Sequence, residues 1–298
     1  MTVSNHLSRN PAPPTPVILT TDCGTEVDDQ WALAHLHLTP EIELRAVVTT
    51  HAPNLPPPAA EASAAECRRV LRHLPGGDQV PVIAGSSDPL LDKLSPCRNP
   101  GSERIVAEAL REHSSPLTIL VIGAATDVAS ALLMAPGIAD RVQIVAMGFA
   151  SYETGGDEWN VKNDPNAWRV LLESGAPITI GDASVCKQFL CLTAPDAHKL
   201  FNSRGSAGPF LAGLMSDWLS SNGETARLVT GEPDKWPVWD EITVAHLLGL
   251  TSWVELPRPS LRPDLTFDFP GSSATVRWIH SVDVDALWAD LAQRCGET

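Results

Sequence analysis

The chain has 298 residues, 43% hydrophobic and 19% charged, with a net charge of −15 from 21 basic and 36 acidic side chains. That length suits one large domain or two small ones, burying about three quarters of the unfolded surface. The acidic balance disfavours a nucleic-acid backbone as partner, and no apolar run is long enough to span a bilayer. Residues 1–16 are polar and proline-rich and lack the apolar core of a signal peptide. They read as a disordered lead-in to a cytoplasmic protein, with one domain over 17–298. Cysteines 23, 67, 97, 186, 191 and 295 lack zinc-site spacing and read as free, mostly buried thiols.

From Val17 onward, strand-like and helix-like segments alternate, as expected of an α/β fold: an open, mostly parallel sheet flanked by helices. The apolar Val17-Ile18-Leu19 leads into Thr20-Thr21-Asp22-Cys23-Gly24-Thr25-Glu26-Val27-Asp28-Asp29, and an amphipathic segment starts at Trp31. Strand, turn, helix is the implied order, with four carboxylates at the join. One acid suffices to cap a helix, whereas four repel one another and call for a cation or hydroxyl donors between them.

A second strand over 42–50 ends in a loop with His51 and Asn54, and a helix over 59–74 stops at Gly76-Gly77. A short strand over 80–84, a loop to Gly101 and a helix over 104–113 follow. Next comes the wholly buried type of strand over 117–122, broken by Gly123-Ala124-Ala125-Thr126-Asp127 before a helix over 128–134. A strand over 142–147 runs into a glycine-rich loop holding Asp157, Glu158, Asn160 and Asn163. Asp164 as N-cap and Pro165 at the first helical position then start a helix. After a strand over 178–180, residues 190–250 read as a mainly helical cap region containing Trp236-Pro237-Val238-Trp239-Asp240-Glu241. Residues 256–276 read as a small antiparallel hairpin, and 284–294 as a closing helix.

Together these polar sets resemble the calcium-dependent nucleoside hydrolases, the inosine–uridine-preferring group, of which the chain reads as a divergent member. The likeness rests on Asp22-x-Gly24 with Asp28-Asp29, Gly123-x-x-Thr126-Asp127, Glu158-Trp159-Asn160-Val161 with Asp164-Pro165, and Trp239-Asp240. It implies hydrolysis of the N-glycosidic bond of a ribonucleoside or related riboside by Ca²⁺-bound water. It also implies the family's fold and a homo-oligomer, dimer or tetramer. By the same resemblance Asp22, Asp29, Asp240 and the Thr126 carbonyl would hold Ca²⁺, and Asp22 would be the general base. Asp28, Glu158 and Asn160 would hold ribose hydroxyls beside Asn54. An all-oxygen donor set suits a hard cation, and no His or Cys is offered to zinc.

Three departures stand out. Thr25-Glu26 lengthens the first turn, so Glu26 can share the catalytic role of Asp28. Thr20 replaces an acid. Trp239 replaces the histidine that many members carry before the last calcium aspartate, which leaves it, with Trp159 and Trp236, to form an aromatic substrate surface.

A metal-dependent phosphatase and a non-catalytic nucleoside or sugar binder are the alternatives. Against the first, Thr20 and Gly24 flank Asp22 where an Asp-x-Asp pair is wanted. His51, His113 and His246 read as structural, Cys23 as a small filler, Asp164 as a cap, and Asp217 and Asp234 as solvated.

Overall fold

The computed structural model describes residues 13–298 except Asp157, Pro270 and Ser272; most of the expected lead-in therefore lies outside the described residues. In chain order the elements are β1 (Thr15–Thr21), α1 (Asp28–Leu38), β2 (Ile42–Thr49), α2 (Ala59–Leu71), β3 (Val82–Ala84), α3 (Pro100–Ala109), β4 (Leu117–Val121) and α4 (Thr126–Met134). Then come β5 (Val142–Met147), α5 (Trp159–Asn163), α6 (Pro165–Glu173), β6 (Ile178–Gly181), α7 (Ala183–Phe189), β7 (Cys191–Thr193), α8 (Ala194–Phe201) and α9 (Ala207–Thr230). Last are β8 (Lys235–Pro237), α10 (Glu241–Leu247), β9 (Thr251–Pro257), β10 (Ser260–Leu261), β11 (Phe267–Asp268), β12 (Thr275–Val282) and α11 (Val284–Gly296).

Eight strands form one sheet in the order β3-β2-β1-β4-β5-β6-β12-β9. Every pairing is parallel except that of β9 with β12, so the mostly parallel α/β architecture is confirmed. Strand order reverses between β1 and β4, the switch point beside which open α/β sheets form their crevice. Both strands are buried on two faces, and their side chains alternate accordingly. Val17, Leu19, Leu120 and Ile122 join the apolar cluster on one side, Ile18, Ile119 and Val121 that on the other.

Three segments differ from expectation. Helix α3 starts at Pro100 because the Asn99 side chain accepts from Gly101 N at 2.8 Å and Ser102 N at 3.0 Å, a cap hidden in the polar stretch before it. The loop after β5 contains the one-turn helix α5, capped by Glu158. Residues 256–276 do not form a separate hairpin: β9 and β12 extend the main sheet, and only β10 and β11 pair locally. The helical region after residue 190 is present and is pinned by the antiparallel pair β7–β8.

Candidate active site at the switch point

Chain leaving β1 turns sharply at Gly24, whose φ of +109° favours glycine, and enters α1 at Asp28. Val27 is the N-cap and no side chain caps the helix, so neither Asp28 nor Asp29 is spent on capping. Asp240 likewise sits at the N-cap of α10 without making a capping bond. Carboxylate oxygens of Asp28, Asp29 and Asp240 all lie within 4.8 Å of one another, and all three residues are buried.

Asp22 stands beside this trio. Trp159 Nε1 donates to its Oδ2 at 3.2 Å, and the Thr21 hydroxyl donates to Asp29 Oδ1. Gly123 gives Asp22 its room: a Cβ there would meet Asp22 N at 2.7 Å and Oδ1 at 2.9 Å.

Burial, then mutual repulsion, lifts these carboxyls far from their usual range. Asp22 is raised by burial and next by Asp29; Asp28 by burial, Glu26 and Asp29; Asp240 by burial and then Asp28 and Asp29. Asp29 is raised to about 7 by burial, with the Thr21 hydroxyl pulling the other way. Glu26 also reaches about 7, through burial, Asp29 and Glu158, partly offset by the Trp236 and Trp239 indoles. So much buried like charge is tolerable only if protonated or matched by a cation.

A cavity of ≈ 270 Å³ opens above the cluster. Asp22, Asp28, Asp29 and Asp240 line it together with Trp159, Trp236 and Trp239. Glu158 and Asn160 also line it. Glu158 uses one oxygen for Asn160 N at 3.0 Å and the other for Val161 N at 3.1 Å, which fixes the carboxylate at the mouth of α5. Burial raises its pKa to about 7 against those two N–H groups. Asn160 Nδ2 is turned back to Met147 O at 3.3 Å, leaving the amide oxygen for a ligand.

Two expected residues are not brought to the cavity. Thr126 is absent from the lining; its hydroxyl donates to Asp164 Oδ2 at 2.7 Å and meets His51 Nε2 at 2.9 Å. The residue that lines the cavity after β4 is instead Ile122, which had only its place before Gly123 to mark it. Asn54 sits on an exposed turn and is absent from the lining.

Lys187, an exposed residue of α7, lines the wall with its ammonium 5.9 Å from the Trp239 ring centroid, and sequence reasoning missed it. Asp164 caps α6 by accepting from Ala167 N at 2.9 Å, and Asp127 accepts from Ser86 N at 3.1 Å. His113 meets Glu108 O and His246 meets Thr251 Oγ1, both outside the lining. Cys23 is buried, its thiol raised well above the ordinary value by burial first. Asp157 lies outside the described residues.

A family model described as inosine-uridine preferring nucleoside hydrolase matches residues 17–289. Uridine nucleosidase 1 of Arabidopsis thaliana is 29% identical over 232 residues, covering 68% of this chain and 67% of the relative. The pyrimidine-specific ribonucleoside hydrolase RihA of Citrobacter koseri is 26% identical over 255 residues, covering 76% and 78%. Among solved structures, the plant nucleoside hydrolase PpNRh1 superposes with a TM-score of 0.76 at 20% identity, over 96% of this chain and 100% of that one. A purine-preferring ribonucleoside hydrolase from Gardnerella vaginalis gives 0.74 at 23% identity, over 95% and 98%.

Proposed function

We propose, from the premise that this chain belongs to the inosine–uridine preferring nucleoside hydrolase family, that it hydrolyses the N-glycosidic bond of ribonucleosides or related ribosides. The observation that carries the reading is the meeting of Asp28, Asp29 and Asp240 under a cavity walled by tryptophans.

The donor set fits a hard divalent cation, Ca²⁺: buried carboxylates with oxygens close together, none committed to a helix cap, each pKa raised by burial first. Asp29 and Asp240 would hold it with Asp22 or Asp28, and Ile122 takes the place of Thr126 as the main-chain oxygen. When bound, the cation neutralises the cluster and orients water and sugar hydroxyls.

Asp22 accepts the proton of the attacking water. Its Oδ2 accepts from Trp159 Nε1, which fixes the carboxylate at the cavity. Glu158 and the Asn160 amide oxygen receive ribose hydroxyls, and Asp28, with Glu26 beside it, takes another. As the bond to the base lengthens, positive charge grows on the sugar ring, and the ring of carboxylates stabilises it. Trp239 and Trp236 face the aglycone. An indole cannot donate a proton at ordinary pH, so Trp239 serves by packing or stacking on the leaving heterocycle. We further read residues 17–298 as one domain of a cytoplasmic homo-oligomer.

Reducing-sugar release from inosine, uridine, their 2′-deoxy forms and a nitrophenyl riboside, with and without chelator, tests the reading. Release from ribosides that stops on chelation is expected. Deoxyribosides should be much poorer, because a site built for a hydroxyl is left unpaired without it. Riboside binding without sugar release would support the non-catalytic alternative, and equal rates on both sugars would remove the ribose roles of Glu158 and Asn160.

A further inference from the structure

His35 takes no part in the reaction derived above. It lies two turns along α1 from Asp28 and is fully buried, with Nδ1 2.8 Å from Glu241 Oε2 and Nε2 3.0 Å from Asp290 Oδ2. A neutral imidazole has one N–H, whereas two ring nitrogens that both meet carboxylates require two. His35 is therefore an imidazolium. Burial opposes that charge, but Glu241 and Asp290 outweigh it and lift the pKa to about 9. Its neighbours on α1, Trp31, Ala32, Leu33, Ala34 and Leu36, are all buried and apolar. Glu241 is fully buried too; its Oε1 has no hydrogen-bond partner, and His35 is its ion-pair partner among the described residues. Asp290, on α11, is steadied from its other side by Arg294, which also reaches Glu41.

A buried ion pair is a poor source of stability, since apolar residues of similar volume often do as well. Its placement is more informative. Asp28 and Asp29 open α1, and Asp240 and Glu241 lie at the start of α10. Three carboxylates within 4.8 Å push those two helix ends apart. The His35–Glu241 pair joins the same two helices and pulls them together.

We propose that His35 is a positioning residue whose ion pair with Glu241 holds α1 against α10 and so presets the Asp28, Asp29 and Asp240 carboxylates for a divalent cation. This rests on the reading of that cluster as a cation site.

The test is Ca²⁺ affinity by titration calorimetry for the wild type, Glu241→Gln and the double variant His35→Leu/Glu241→Leu. Folding is checked by circular dichroism, and melting temperature is recorded in chelator and in Ca²⁺. The double variant leaves no unpaired buried charge, and Glu241→Gln keeps a hydrogen bond while losing only the charge. Both should weaken Ca²⁺ binding by about tenfold, the low end for residues that orient ligands from behind. The rise in melting temperature on adding Ca²⁺ should shrink with it, a change that a merely structural role would not produce.

A folded double variant that binds Ca²⁺ as tightly as the wild type overturns the proposal and leaves the cation site standing. If that variant does not fold, Glu241→Gln decides by the same criterion. A wild type that binds no Ca²⁺ overturns both.

Discussion

Asp22 accepts from Trp159 on Oδ2, is given space by Gly123 and lines the cavity. Asp22→Asn keeps shape and a ligand oxygen but cannot accept a proton. Turnover of a nitrophenyl riboside should fall roughly 10²–10⁴-fold, with the far-ultraviolet circular dichroism unchanged. Near-normal turnover would move the base to another acid, Glu26 first. Trp239 poses the complementary question at the leaving group. Trp239→Ala should chiefly raise KM, Trp239→His should raise kcat on inosine, and the wild type should prefer the activated riboside. Fast inosine turnover indifferent to Trp239→Ala would sink this assignment. Carboxylates and aromatics of this kind were legible in the sequence because each carries its chemistry in its side chain. Ile122 was not, since it has no polar side chain to mark it, and the resemblance assigned the main-chain oxygen to the carbonyl of Thr126, a residue absent from the lining. Asn54 had the right chemistry in the wrong place, on a turn that faces solvent.

At the level of elements, the loop between β4 and α4 works through what it lacks. A methyl group at Gly123 would stand 2.7 Å from Asp22 N, so Gly123→Ala must displace the turn after β1. Overpacking of this kind costs about 1–3 kcal/mol, visible as a lower melting temperature, and the displaced Asp22 should lower kcat more than it raises KM. Unchanged kcat would mean that the two loops move independently. Helices with local signals were readable in advance: Asp164-Pro165 marked the start of α6 because cap and proline act on their own first turn. Helix α5 gave no such sign, since its cap is Glu158, a residue better known for carrying charge into a site than for ending a loop. The partnership of β9 with β12 was hidden for a different reason. Pairing across some twenty residues is decided by what the sheet edge offers, and sequence pattern does not show that edge.

Over the whole molecule, the buried charge of His35 makes stability depend on alkaline pH. Its folded pKa of about 9 exceeds the ordinary histidine value of 6.5. The associated stability is thus fully present below pH 6.5, declines above it and is lost as pH rises through 9. Urea unfolding at a series of pH values from neutral to mildly alkaline should show this decline in the wild type. His35→Leu/Glu241→Leu, with no imidazolium to lose, should show a flatter profile; parallel curves would assign the decline to other groups. The alternation of strands and helices had already implied a parallel sheet. Where the order reverses, between β1 and β4, could not be read from the chain, because each strand pattern fits several neighbours.

The lining of the cavity comes from two parts of the chain. Asp22 follows β1, and Glu158 and Asn160 lie at the start of α5, while Val229, Trp236, Trp239 and Asp240 are strung along the stretch from α9 through β8 to α10. On the reading proposed above, the aromatic residues of that stretch share it with one cation ligand, Asp240, while the sugar-facing residues lie elsewhere. That reading predicts that changes at Val229, Trp236 or Trp239 alter the leaving groups accepted, provided that Asp240 is kept.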